Sequence, residues 1–127
     1  MNENPIKSLK VLIVEDDESN CQILTLSIRK FAKEIIISSF GDEAVEICRN
    51  NPDIDLILMD MQLPEMDGYE ATRLIRKFNT TVVIIAQTAY ALYGDKEKTL
   101  EAGCTDYISK PIKRENLTKL IQKYFGI

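Results

Sequence analysis

Five short aliphatic runs, each followed by a stretch with helical spacing, constrain this chain more than any other feature. The runs are Lys10–Val14, Glu34–Ser38, Asp55–Met59, Thr81–Ala86 and Asp106–Ile108. They carry Ile, Leu and Val with little polar alternation, as strands buried on both faces do. Ile35-Ile36-Ile37, framed by Glu34 and Ser38-Ser39, reads as the strand nearest a sheet edge. Between the runs, apolar residues recur at helical steps: Cys21, Leu24, Ile28 and Phe31, then Ala44, Ile47 and Cys48. Asp67-Gly68 opens a third helix with Ala71, Leu74 and Ile75, and Leu117, Leu120, Ile121, Tyr124 and Phe125 give the clearest amphipathic stripe. Tyr90–Ala102 is the least apolar helix; its run Asp95-Lys96-Glu97-Lys98 reads as a solvated face, and Gly103 suits its C-terminal cap. This alternation predicts an α/β fold: a doubly wound parallel sheet with helices on both faces and right-handed crossovers.

In such folds a site forms where the strands end, at the switch in strand order. The polar residues of this chain sit there. Asp60 closes the run Leu56-Ile57-Leu58-Met59, Glu15-Asp16-Asp17 follows Val11–Val14, Thr88 follows the fourth run and Lys110-Pro111 the fifth. A buried carboxylate is costly to desolvate unless a cation or charge partner waits for it. Several carboxylates together call for a hard divalent ion; Mg2+ suits them, with Mn2+ as the alternative. Under such an ion Asp60 stays ionised and nucleophilic, and aspartate is an established covalent phosphoryl acceptor. Lys110 would supply a point charge to a phosphate oxygen and the Thr88 hydroxyl a hydrogen bond. Taken singly, each residue has a plainer role. An Asp after a strand makes an Asx turn, and acids before a helix favour its dipole. Their coincidence at successive strand ends is what points to chemistry.

Composition narrows the classes. At 127 residues the chain is one domain, and 45% hydrophobic with 28% charged residues is ordinary for a globular protein. A net charge of −4 argues against direct, non-specific nucleic-acid binding. No apolar run reaches membrane-spanning length, so the domain has no membrane contact of its own, and Met1–Pro5 is no signal peptide. Three cysteines without a C-x-x-C pair fit a reduced cytoplasmic setting, with Cys21 and Cys48 as small core residues. The absence of histidine removes His-based triads, most zinc sites and a phosphohistidine carrier role.

Val14-Glu15-Asp16-Asp17, Met59–Gly68, Thr88-Ala89 and Ser109-Lys110-Pro111, in this order, closely resemble the response-regulator receiver domain of two-component signalling. Ala102–Tyr107 fits the segment leading into the fifth strand of such domains. The resemblance implies a flavodoxin-like five-stranded sheet of order 2-1-3-4-5, with residues 1–127 as a single receiver domain and 9–125 as its core. It implies that Asp60 takes a phosphoryl group from a kinase phosphohistidine. Asp16 and Asp60 would bind Mg2+ directly, Glu15 through water and Gln62 through its backbone carbonyl. Thr88 and Lys110 would hold phosphate oxygens, and Tyr107 would be the aromatic switch that turns inward when Thr88 moves. The Lys110–Pro111 bond would be cis. Gln62 and Tyr90 occupy the positions that tune phosphoryl lifetime, and Gln87 stands where an apolar residue is common.

Glu65–Arg73 and Gly94–Lys98 look most like receivers attached to hybrid sensor histidine kinases, with a free-standing regulator as the second reading. The implied partners are a sensor histidine kinase or a histidine phosphotransfer protein, and the implied state is a monomer or a weak phosphorylation-dependent dimer. The domain would work in the cytoplasm, including as the cytoplasmic part of a membrane-bound hybrid kinase. Phosphorylation would shift the face built by the fourth helix, fifth strand and fifth helix, with Leu92, Tyr93 and Tyr107 as apolar contacts. For relay, the first helix would dock the partner through Ser19, Asn20 and Ile23. Three rivals fit less well. An aspartate-nucleophile phosphatase would carry an acid where Gln62 stands, a flavodoxin-like cofactor binder would need Ser, Thr and Gly after the first strand, and a phosphorylation-independent module would not need these acids together.

Overall fold

The computed structural model describes residues 8–127, the side chain of Leu92 excepted; Met1–Pro5 and the proposed Leu92 contact lie outside the described residues. The chain alternates β1 (Leu9–Val14), α1 (Glu18–Ile28), β2 (Ala32–Ser38), α2 (Gly41–Asn50), β3 (Leu56–Asp60) and α3 (Gly68–Arg76). It continues with β4 (Val83–Thr88), a single 3-10 turn (Ala91–Tyr93), α4 (Asp95–Ala102), β5 (Asp106–Ser109) and α5 (Arg114–Phe125). The five strands pair in parallel in the order β2-β1-β3-β4-β5, with β2 at one edge.

Two cores follow from the period-2 alternation of the central strands. Val11, Ile13, Leu56, Leu58 and Ile85 face one side, where Leu24 and Ile28 of α1 and Leu117 and Ile121 of α5 cover them. Leu12, Val14, Ile57, Met59, Ile84 and Ala86 face the other, under Ala44 and Cys48 of α2 and Ala71 and Ile75 of α3. All these side chains are buried, so the strands needed apolar residues at every position, and that made them readable.

Besides shifts of one or two residues at the ends of the other strands, four details differ from the sequence expectation. Strand β4 runs Val83–Thr88 rather than 81–86: Thr81 and Val82 belong to a turn in which both backbone N–H groups donate to the Asn79 side chain. The helix expected over Tyr90–Ala102 breaks at Gly94, whose φ of 85° is left-handed, so only Asp95 onward is α-helical. Cys48 is buried but Cys21 is only half-buried, on a face of α1 that neighbours Ile37 of the edge strand. Asp95, placed on a solvated face by its charged neighbours, is buried.

Candidate functional site

Register sets the site. Val14 pairs with Met59, and Asp60 with Gln87, so Glu15, just past β1, lies beside Asp60 at the end of β3, with Gln87, one residue before the end of β4, on its other side. Glu15, Asp16 and Asp60 each present a carboxylate oxygen within 4.8 Å of the others. Glu15 and Asp60 are buried and Asp16 is exposed, so the cluster opens to solvent on the Asp16 side. Asp17 is not part of it: its carboxylate caps α1 by accepting from the Asn20 N–H at 2.8 Å.

The fifth strand brings the cation. Lys110, just past β5, places Nζ 3.1 Å from Asp60 Oδ1 and 3.8 Å from Glu15 Oε2. Asp60 Oδ1 also accepts from the Gln62 N–H at 3.0 Å, so the acid is fixed by its own turn as well as by the lysine. Glu15 Oε1 accepts from the Asp17 N–H at 3.2 Å, while Oε2 is buried with no hydrogen-bond partner among the described residues. Burial first, and the Asp60 carboxylate second, push the Glu15 carboxyl from 4.5 up to about 7. One lysine against two buried acids leaves the site short of positive charge.

The backbone supports this arrangement in two places. The Lys110–Pro111 peptide is cis. Gly68 opens α3 so close to the Asp60 carbonyl that an added Cβ would collide with it, and would lie 2.8 Å from Met61 Cα. Its N–H donates to the Met61 carbonyl at 3.2 Å, which ties the helix start to the turn after β3.

Thr88 is fully buried at the end of β4. Its hydroxyl donates to the Asp95 carboxylate and accepts from the Tyr90 N–H at 3.0 Å. Tyr107 is half-buried in β5, with Lys96 Nζ 5.6 Å from its ring centroid. Gln62 and Tyr90 are both exposed.

Sequence reasoning missed two participants, Asp95 and Tyr69. The Tyr69 hydroxyl of α3 donates to the other oxygen of Asp95, a pairing across 26 positions that no local pattern signals. The sequence marks Gln87 only as an unusually polar residue near a strand end. It is fully buried, and neither its amide nitrogen nor its amide oxygen has a partner among the described residues.

Fold and site together define a class: a small parallel α/β domain whose acids and lysine meet at the carboxyl ends of its central strands. The chain belongs to the response regulator receiver domain family, whose model matches residues 11–122. It is therefore a phosphoacceptor of two-component signalling rather than a catalytic enzyme. Over 119 residues it is 37% identical to the signal transduction histidine-protein kinase BarA of Escherichia coli K12; the match covers 92% of this chain but only 13% of BarA. It is 39% identical over 118 residues to the polar-differentiation response regulator DivK of Brucella ovis, covering 91% of this chain and 95% of DivK. Among solved structures, the receiver domain of sensor histidine kinase PA1611 from Pseudomonas aeruginosa, with magnesium coordinated in its active-site cleft, is 38% identical with a TM-score of 0.83. That match covers 94% of this chain and 99% of the other. The receiver domain of Ssk1 from Saccharomyces cerevisiae, solved with the histidine phosphotransfer protein Ypd1, is 36% identical with a TM-score of 0.85, over 93% and 89% of the two chains.

Proposed function

We propose that Asp60 accepts the phosphoryl group from a phosphohistidine, and that Glu15, Asp16, Asp60 and the Gln62 backbone carbonyl hold Mg2+ for that transfer. The observation that carries this reading is the pair of buried acids sharing one lysine, with no hydrogen bond to Glu15 Oε2 among the described residues. Oxygen ligands around a site deficient in positive charge suit magnesium, as does the likeness to the magnesium-bound PA1611 receiver. When bound, the ion would neutralise the acids and draw charge from the phosphoryl oxygens.

The residues of the chain account for the rest. A carboxylate oxygen of Asp60 attacks phosphorus as the phosphorus–nitrogen bond to the donor histidine breaks, and that bonding pair stays on the imidazole nitrogen. The Gln62 N–H and Lys110 aim the carboxylate, and Lys110 then follows the charge onto a phosphoryl oxygen. Thr88 donates to another phosphoryl oxygen once it turns toward Asp60. That movement opens room for Tyr107 to turn inward, which alters the α4-β5-α5 face carrying Tyr93 and Tyr107. Gln62 and Tyr90, both exposed, would govern access of hydrolytic water.

The chain, 1–127, is read as a single receiver domain with 9–125 as its core; among the described residues one sheet organises both apolar clusters. It works in the cytoplasm; no described helix is long and apolar enough to cross a membrane. Its partner is a histidine phosphotransfer protein or a sensor histidine kinase, as the Ssk1–Ypd1 pairing and the likeness to BarA suggest. We place the chain as the receiver of a hybrid kinase, with a free-standing regulator as the second reading on the strength of the DivK match. Docking runs through α1, where Ile23, Leu26 and the neighbouring Ile37 are exposed and a groove of about 350 Å³ lies between helix and edge strand. Ser19 on the same helix is exposed as well; Asn20, expected to be so, is half-buried with its amide 3.5 Å from Glu15.

Phosphotransfer from a phosphorylated histidine phosphotransfer protein tests the reading. Leu26→Lys should slow that transfer while leaving uptake from a small phosphodonor unchanged. Equal slowing with both donors would remove α1 as the docking surface, and no transfer to the parent chain from any donor would remove the acceptor role.

A further inference from the structure

Asp95 is an acid that the phosphoacceptor site does not itself require. It opens α4, where an acid favours the helix dipole, but dipole compensation alone does not need burial. Asp95 is only 9% exposed, while Lys96, Glu97 and Lys98 beside it all face solvent. Its two oxygens are divided between two elements. One accepts from the Thr88 hydroxyl at the end of β4, the other from the Tyr69 hydroxyl on α3.

The Thr88 hydroxyl has a single proton. Its oxygen already accepts from the Tyr90 N–H, and its proton is given to Asp95. A phosphoryl oxygen on Asp60 needs that same proton. The two hydrogen bonds therefore exclude each other. We infer that Asp95 is a positioning residue for the phosphoryl group: it competes for the Thr88 proton, holds β4 to α4 in the resting arrangement, and lowers phosphoryl affinity until it is released. The inference rests on the reading of Thr88 as a phosphoryl ligand.

Tyr69 sets the strength of this competition. When Thr88 leaves, Tyr69 is the remaining donor that keeps Asp95 from standing buried and unpaired. Burial, and then the Asp95 carboxylate, raise the Tyr69 hydroxyl well above the ordinary phenol range, so it keeps its proton at working pH. Removing Tyr69 makes release of Thr88 more costly; removing Asp95 makes it free. The two changes act in opposite directions, which a simple helix-capping role for Asp95 does not give.

Beryllium trifluoride with Mg2+ builds a tetrahedral phosphoryl mimic on a carboxylate, and its binding is readable by titration calorimetry on the full chain. A hydrogen bond to a charged group is worth enough that Asp95→Ala should bind the mimic about tenfold more tightly than the parent. Tyr69→Phe should bind it several-fold more weakly, and Asp95→Ala combined with Tyr69→Phe should match Asp95→Ala alone. Urea unfolding of each variant shows that it is folded. Where Asp95→Ala does not fold, Asp95→Asn carries the test, since it keeps an acceptor but loses the charge and should bind more tightly than the parent. Unchanged or weaker binding in the folded Asp95 variant, or tighter binding in Tyr69→Phe, overturns the proposal while leaving Asp60 as acceptor. No binding by the parent chain overturns the acceptor reading and this proposal with it.

Discussion

Replacing Glu15 by Gln should stabilise the cation-free protein, and by an amount that grows with pH. The Glu15 side chain is buried and its carboxyl is pushed from 4.5 up to about 7, by burial first and by Asp60 second. Below about pH 4 the carboxyl is protonated in the folded and unfolded chains alike and costs nothing. Between 4.5 and about 7 the unfolded chain releases the proton while the folded chain keeps it, so native stability falls as pH rises. Above about pH 7 both forms are ionised and the loss stays constant. Each tenfold change in proton affinity is worth about 1.4 kcal/mol, which makes the full loss about 3 kcal/mol. The neutral amide does not titrate. Urea unfolding of parent and Glu15→Gln in chelator, at about pH 4 and about pH 8, should therefore show a gap that widens in favour of the variant by about 3 kcal/mol. Saturating Mg2+ should narrow the gap at high pH by binding only the parent's acid cluster well. A gap that is the same at both pH values, or one that favours the parent at high pH in chelator, refutes the electrostatic account of this site.

Two further outcomes follow from the neighbours of Asp60. Gln87→Leu removes a buried amide with neither atom partnered among the described residues, so it should raise stability by about 1–3 kcal/mol in urea unfolding; a loss of stability would mean the amide is satisfied in solution. Gly68→Ala puts a methyl group against the Asp60 carbonyl and 2.8 Å from Met61 Cα, so it should cost about 1–3 kcal/mol in thermal unfolding and slow phosphoryl uptake; parent values for both would show that α3 moves aside freely.

The strands were legible because burial on both faces forced aliphatic residues at nearly every position, and the site because its acids and lysine fall at strand ends in chain order. Where reading failed, the deciding contact was distant or conformational. Thr81 and Val82 have strand-like side chains, but the Asn79 side chain takes their N–H groups into a turn. Gly94 sits inside an otherwise helical pattern, and only its left-handed φ of 85° shows that the helix begins after it. Asp95 looks like the first of four charged surface residues. Its burial comes from Tyr69, on another helix, and from Thr88, and neither pairing leaves a trace in the local sequence. Gln87 was visibly out of place, yet only the packing around it shows that its amide finds no partner among the described residues.

The claim on which the rest depends is that Asp60 is the phosphoryl acceptor, and intact mass spectrometry tests it most directly. The full chain is incubated with a small phosphodonor and Mg2+, with Asp60→Ala in parallel. The expected result is one phosphoryl group on the parent chain, acid-stable but removed by hydroxylamine, and none on Asp60→Ala. The same adduct on Asp60→Ala, or no adduct on the parent from either a small donor or a phosphorylated kinase, would contradict it.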